Sequence, residues 1–90
     1  MFANTQVGDT LYIVAKYTRW SHYEVVKVNV RTVRPDGDAI RVAVAGKWHN
    51  GDGYSVSLTS ARRLTKVFHT LDEAGAKCIE LNNKANKRGQ

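Results

Sequence analysis

Short stretches of the chain alternate apolar and polar residues, the two-residue period of a β-strand with one buried face. The longest stretch carries Val26, Val28 and Val30 on one face, and the next stretch repeats the pattern with Val42 and Val44. Polar or glycine-containing segments separate the stretches, which favours turns between consecutive strands. The pattern therefore predicts five strands, at residues 11–17, 22–34, 38–45, 54–58 and 64–68.

The segment between the second and third strands has the residues of a tight turn. In residues 34–37, proline and glycine occupy the second and fourth positions of a type I turn, the arrangement of a three-residue hairpin loop with a glycine bulge. Pairing Arg34 with Asp38 would join the valine faces of the two strands, which supports a hairpin. The predicted register pairs Val28 with Val44, Val30 with Val42, Thr32 with Ile40 and Arg31 with Arg41.

A helix is predicted after the last strand. Thr70 and Glu73 form a capping box, in which the threonine hydroxyl accepts the backbone N–H of the glutamate. Apolar residues then recur at spacings of three and four, and Gly89 suits the end of the helix. We expect a helix over about residues 71–86. Its sheet-facing residues would be Leu71, Cys78 and Leu81.

These elements predict an α+β fold: a small, strongly bent antiparallel sheet or SH3-like barrel of about five strands, with one C-terminal helix. Ninety residues with 42% hydrophobic content fit a single domain over residues 1–90, with strands at about 10–69 and the helix at about 71–87. A chain of this size forms one small core, and a deep cleft for a bulky cofactor would take a large share of it. We therefore expect no cofactor.

The chain is basic, and the basic surplus lies in its middle. Fourteen Lys and Arg oppose eight Asp and Glu, which gives a net charge of +6. Residues 16–66 hold ten of the basic and four of the acidic side chains, and ten minus four accounts for the whole surplus. The excess charge therefore belongs to the folded sheet rather than to a tail, and such a surface attracts polyanions and acidic protein surfaces.

The predicted hairpin would carry a basic face. Its register places Arg31 opposite Arg41 on the outward side, with Lys27 further along, and like charges directly opposite each other destabilise a sheet. A bound phosphate or carboxylate would relieve that repulsion. The alternative is that the guanidinium groups extend into solvent or meet Glu24 and Asp38.

Aromatic residues near the basic ones suggest a rim to this face, because single-stranded nucleic acids stack on aromatic rings beside cations. Trp48 is expected in or beside an exposed loop, whereas Trp20 or Tyr54 is expected to cap the core. The candidate residues for binding nucleic acid or a partner are Lys27, Arg31, Arg41, Lys47, Trp48, Arg62 and Arg63.

The sequence offers little for catalysis or metal binding. His22, His49 and His69 lie far apart, and the one cysteine, Cys78, belongs to the apolar stripe of the predicted helix. Zinc and phosphate-loop spacings are missing, so we predict a protein that is not an enzyme and binds no metal. The single cysteine, and the lack of a signal segment or long apolar run, favour a cytoplasmic setting without a membrane partner.

Weak motifs also give the chain a family likeness. They are Val7-Gly8-Asp9 before the first strand, Tyr54-Ser55 opening a late strand, and Phe68, Thr70, Glu73 and Ala74 joining the last strand to the helix. In this ordering the chain resembles small phage-encoded accessory proteins, in which a bent β-sheet is followed by one helix. The resemblance implies a cytoplasmic accessory protein that acts by binding, often on a host component.

Two binding functions remain open from the sequence. The first is a small basic module that binds nucleic acid, DNA or RNA, without sequence readout through its basic and aromatic sheet face. The alternative is a phage-type modulator or inhibitor that docks on an acidic patch of a host protein, such as an enzyme that handles nucleic acid. A third option is a structural homodimer formed through an exposed strand edge. The expected oligomeric state is a monomer or a weak homodimer.

Overall fold

The computed structural model describes Phe2 and residues 4–88, with side chains through residue 85, so the helix stop expected at Gly89 lies outside the described residues. It contains a five-stranded antiparallel sheet followed by one helix, which confirms the predicted α+β fold. The elements are β1 (Thr10–Lys16), β2 (Tyr23–Asp36), β3 (Ala39–Lys47), β4 (Gly53–Thr59), β5 (Val67–Phe68) and α1 (Leu71–Arg88). Strand β5 is shorter than predicted.

The sheet has the strand order β4-β3-β2-β1-β5 and is not closed into a barrel within the described residues. Its inward face carries the alternating apolar residues, so the two-residue period is the origin of the core. Phe2 is 1% exposed and joins this core from outside the strands. The buried core residues are Phe2, Leu11, Ile13, Val26, Val28, Val30, Val42, Val44, Trp48 and Val67.

Strands β2 and β3 form the expected hairpin, but the predicted register is wrong. Arg31 is left without a partner in a bulge between Val30 and Thr32. Val30 and Val33 are three residues apart, so a regular strand would place them on opposite faces, and the extra residue lets both face the core. The observed pairs are Val28 with Gly46, Val30 with Val44, Thr32 with Ala43, Val33 with Val42 and Arg34 with Arg41.

The hairpin turn is one residue shorter than predicted. Asp36 pairs with Ala39, so the loop is Gly37-Asp38, and Gly37 has a φ of 64°, as the first central position of a type II′ turn requires. Pro35 lies within β2, opposite Ile40, whose N–H and carbonyl both bond Ser60 at 2.8 and 3.0 Å. Because Ile40 directs its backbone groups away from Pro35, the missing proline N–H costs no bond between β2 and β3.

Helix α1 packs against β1, β2 and β5 on the face opposite the main core. Its start has the predicted cap: the Glu73 N–H donates to the Thr70 hydroxyl at 3.3 Å, and that hydroxyl donates to the Glu73 carboxylate at 2.9 Å. Ala74 and Val14 are fully buried outside the main core. Leu71 is 57% exposed, so its predicted place against the sheet is wrong.

The side chain of Asn82 joins the helix to the start of β2. Its Oδ1 accepts the Tyr23 backbone N–H at 2.7 Å, and its Nδ2 donates to the Tyr23 carbonyl at 3.1 Å. The Cys78 thiol donates to the same carbonyl at 3.2 Å, and burial is the main cause that raises the pKa of this thiol. Asn82 therefore holds the backbone of Tyr23, the first residue of β2, in place.

Asn82→Ala is expected to lower the free energy of unfolding by about 1–3 kcal/mol, because it leaves the half-buried Tyr23 N–H without its acceptor and removes one of the two donors to the Tyr23 carbonyl. Denaturant-induced unfolding measures the loss. Asn83→Ala is the matched control, since Asn83 is exposed on the same helix and should change stability by less than about 0.5 kcal/mol. Equal values for the two variants would contradict the role of Asn82.

Candidate anion-binding cleft and basic sheet face

A cleft opens beside β1, where the chain between β4 and β5 runs along the unclosed side of the sheet. Strand β5 pairs only with Tyr12 and Ile13, and the Val14 N–H adds one bond to the Lys66 carbonyl at 2.9 Å. The opposite wall comes from Tyr54 and Leu58 of β4, and the cleft has a volume of about 550 Å³. Its polar lining includes Lys16, Tyr23, Arg62, Arg63 and Lys66.

Four basic side chains line this cleft, and no Asp or Glu is among its described lining residues. The Lys16 Nζ lies 4.9 Å from the centre of the Tyr23 ring, and the Lys66 Nζ lies 5.2 Å from it. Each ammonium is attracted to the negative face of the ring, but the two cations repel each other. A bound anion would relieve this repulsion, so the arrangement suits an anionic ligand.

Two carboxylates near this end of the sheet are engaged in other contacts. Glu24 does not line the cleft, and its carboxylate accepts the His49 backbone N–H at 3.0 Å. Asp52 accepts the Tyr17 hydroxyl, and this bond and the aspartate charge raise the pKa of Tyr17. Both contacts tie the β3–β4 loop to the end of the sheet that carries the cleft.

The β1–β2 loop, residues 17–22, presents an aromatic ring near the cleft. Trp20 is 85% exposed, and the guanidinium carbon of Arg19 lies 5.0 Å from the centre of its ring. The loop is flanked by Lys16 and Tyr23, which pair with each other across the hairpin and both line the cleft. An exposed aromatic ring, a further cation and the cleft therefore share one end of the sheet.

Trp48 lies in the core, so its predicted place at an exposed rim is wrong. It is 9% exposed, and its ring meets those of Tyr17 and Tyr54 edge-on at centroid distances of 5.3 and 5.1 Å. Trp20 is the exposed tryptophan instead. Tyr54 does pack against the core, and burial raises its pKa.

The other predicted residues of the β2–β3 hairpin lie apart from the cleft. Lys27, Arg31, Arg41 and Lys47 are exposed, and none of them lines the cleft. The predicted pairing of Arg31 with Arg41 is wrong, since Arg41 faces Arg34 in β2.

One of these cations is already engaged. The Arg41 guanidinium donates to the Asp36 carboxylate at 2.9 and 3.1 Å, with both side chains about half exposed. Between the cations, the outward residues of β3 and β4 are small, namely Ala43, Ala45, Ser55 and Ser57. This outer face is therefore flat and basic, but its positive charges are less concentrated than those of the cleft.

Arg62 and Arg63 were predicted beside Lys47 at the rim of that face, but they line the cleft with Lys16 and Lys66. The candidate binding residues taken from the sequence do not include Lys16, Lys66 or Tyr23. Lys16 and Tyr23 meet only through the β1–β2 register, and the position of Lys66 depends on the path of the β4–β5 connection. Neither relationship has a local sequence signal.

No family model, curated protein or solved structure matches this chain. In the part of the chain that the structure describes, no helix combines the length and apolar character needed to cross a membrane. Among the same residues, no group of three or more His, Cys, Asp or Glu side chains is arranged to hold a metal ion.

Proposed function

We propose that the protein binds nucleic acid through its phosphates, without reading base sequence, and that the cleft is the principal site. The observation that carries this proposal is the convergence of Lys16 and Lys66 on Tyr23 in a cleft that Arg62 and Arg63 also line and no described carboxylate enters. A phosphate backbone supplies repeated negative charges at the spacing of successive nucleotides, so several of these cations can be neutralised together.

The basic side chains have different parts in this mode of binding. The two lysine ammonium groups act as compact charges that approach any phosphate oxygen, whereas an arginine guanidinium can donate two parallel bonds to one phosphate. None of these contacts reaches a base edge by itself, which is why we propose binding without sequence readout.

The outer sheet face would add phosphate contacts to those of the cleft, but it would not be the main binding site. Lys27, Arg31 and Lys47 are exposed, but the Arg41 charge is partly compensated by Asp36. Cations spread over a flat surface are screened within about 8 Å at physiological salt, while those gathered in a cleft reinforce one another. Contacts on the outer face would therefore add to affinity mainly at low salt.

The test is the salt dependence of oligonucleotide binding. Four cleft contacts predict a slope of log affinity against log salt of about −3 for single strands, at about −0.7 per phosphate. Replacing Lys16 and Lys66 together by Gln should flatten the slope by about 1.4 and weaken binding at least about tenfold at ~50 mM salt. Fluorescence anisotropy with a labelled twelve-nucleotide strand measures both quantities.

The matched control replaces Lys77 and Lys84 by Gln. These lysines pair with Glu80 on α1 at 3.3 Å and do not line the cleft, so the control removes the same charge from another surface. It should leave the slope nearly unchanged. Equal losses in the two double variants would mean that net charge, not the cleft, drives binding. Failure to bind any single-stranded or duplex oligonucleotide, together with saturable binding to one acidic protein, would favour the modulator function instead.

A further inference from the structure

Trp20 is the most exposed large apolar side chain among the described residues, at 85%. Burial of an aromatic ring is one of the largest single gains available to a small domain, so an exposed tryptophan forgoes a stabilising contact. The same chain buries Trp48 in its core. The position of Trp20 thus needs a reason outside the folded core.

The loop that carries Trp20 is held together by its own hydrogen bonds. The Thr18 N–H donates to the Ser21 hydroxyl at 3.2 Å, the two hydroxyls lie 2.8 Å apart, and the Ser21 N–H donates to the Thr18 carbonyl at 3.1 Å. The Trp20 N–H also donates to the Thr18 hydroxyl at 3.3 Å. A ring presented on a preorganised turn loses little conformational entropy when a ligand covers it.

The charges around Trp20 indicate the chemistry of that ligand. Arg19 stands 5.0 Å from its ring, and Trp20 is three residues from Tyr23, so their Cα atoms lie within about 11 Å of each other. The ammonium groups of Lys16 and Lys66 in the cleft both lie over the Tyr23 ring. A ligand that satisfies both features has a flat aromatic group next to negative charge, as a nucleotide does.

We propose that Trp20 stacks on an unpaired base of a single-stranded nucleic acid whose adjacent phosphates lie in the cleft, and that it makes the protein prefer single strands to duplexes. This inference rests on the proposed function. Bases in a duplex are already stacked on one another, so their faces are closed to the indole ring, whereas a single strand can turn a base onto it. Arg19 lies over one face of the indole ring, so the base stacks on the opposite face and the guanidinium is left to meet the neighbouring phosphate.

Intrinsic fluorescence provides a direct test, because the chain has only two tryptophans, one exposed and one buried. Titration with a twelve-nucleotide oligothymidylate should quench the emission of the wild-type protein. In Trp20→Phe, which retains only Trp48, the same titration should leave the emission nearly unchanged. Quenching that persists in Trp20→Phe would overturn the stacking contact.

Affinity measurements separate the contribution of the stacked base from the contribution of the phosphates. Trp20→Ala should weaken binding to the single strand about tenfold or more with the salt slope unchanged, and should change duplex binding less than about twofold. An abasic strand of equal length keeps the phosphates, so it should bind wild type and Trp20→Ala equally. Thermal unfolding checks that the exposed substitution leaves the fold intact.

The outcomes separate the two proposals. Salt-dependent binding that depends on Lys16 and Lys66 but not on Trp20 would overturn the stacking inference and leave the proposed function standing. A failure of wild type to bind any oligonucleotide would overturn both. Binding of an acidic protein that requires Trp20, without oligonucleotide binding, would assign the exposed ring to a protein contact and overturn the inference.

Discussion

Trp48→Ala is expected to lower the free energy of unfolding by about 3–5 kcal/mol, the usual cost of removing a large buried aromatic side chain. The ring of Trp48 fills the core between Tyr17 and Tyr54, and the loop that follows it bonds back through Asp52 and Glu24. Its loss would leave a cavity that these tethers prevent from collapsing fully. Equilibrium unfolding in urea measures the change.

Trp20→Ala is the matched control, because it removes the same side chain from an exposed position. It should change the free energy of unfolding by less than about 0.5 kcal/mol. A domain of this size has a total stability of roughly 5–15 kcal/mol, so the core variant should unfold at clearly lower denaturant while the control does not. A Trp48→Ala loss below about 1 kcal/mol would show that the ring is not part of the core.

The two tryptophans show what a sequence pattern can and cannot predict. Trp48 continues the inward alternation of Val42 and Val44 two residues beyond Gly46, so the period of β3 contained the signal for burial. The polar residues that follow Trp48 indicate an exposed loop instead, and the prediction of an exposed Trp48 depends on them. Trp20 lies in a polar loop without any period, and its exposure depends on the turn that Thr18 and Ser21 close.

The fold follows from the sequence wherever a local rule decides it. The alternating stretches became strands, and the capping box at Thr70 became the start of the helix. The predicted register of the β2–β3 hairpin is wrong because it combines a three-residue loop with an unbroken strand, whereas the structure has a two-residue loop and a bulge. The three-residue spacing of Val30 and Val33 indicates a bulge, and that spacing is visible in the sequence once both residues are required to face one core.

The candidate site depends on contacts between residues distant in the chain. Lys66 reaches the ring of Tyr23 only because the β4–β5 connection returns along β1, and Tyr23 is itself held by Asn82 of the helix. Composition correctly indicates a basic surface, but it does not divide the cations between a cleft and a flat face. That division depends on tertiary structure, and it moves the candidate site from the hairpin to the open side of the sheet.

Gly46→Ala is expected to lower the free energy of unfolding by about 3 kcal/mol, the upper end of the usual cost of overpacking, at a close approach of two backbones. An added Cβ would meet the Lys27 carbonyl oxygen at a separation that Cβ atoms do not adopt, and the Val28 Cγ1 at 3.0 Å. Gly46 pairs with Val28 on one side and Tyr54 on the other, so its backbone cannot shift without opening one of two strand pairs.

Gly53→Ala is the control for this prediction, because Gly53 is exposed at the start of β4 and an added Cβ there has no neighbour within 4 Å. Its φ is not in the left-handed region, so the change should be within about 0.5 kcal/mol of the wild type. Urea unfolding of the two variants compares them directly. If Gly46→Ala were as stable as Gly53→Ala, the backbones of β2 and β3 could not approach each other so closely at Lys27.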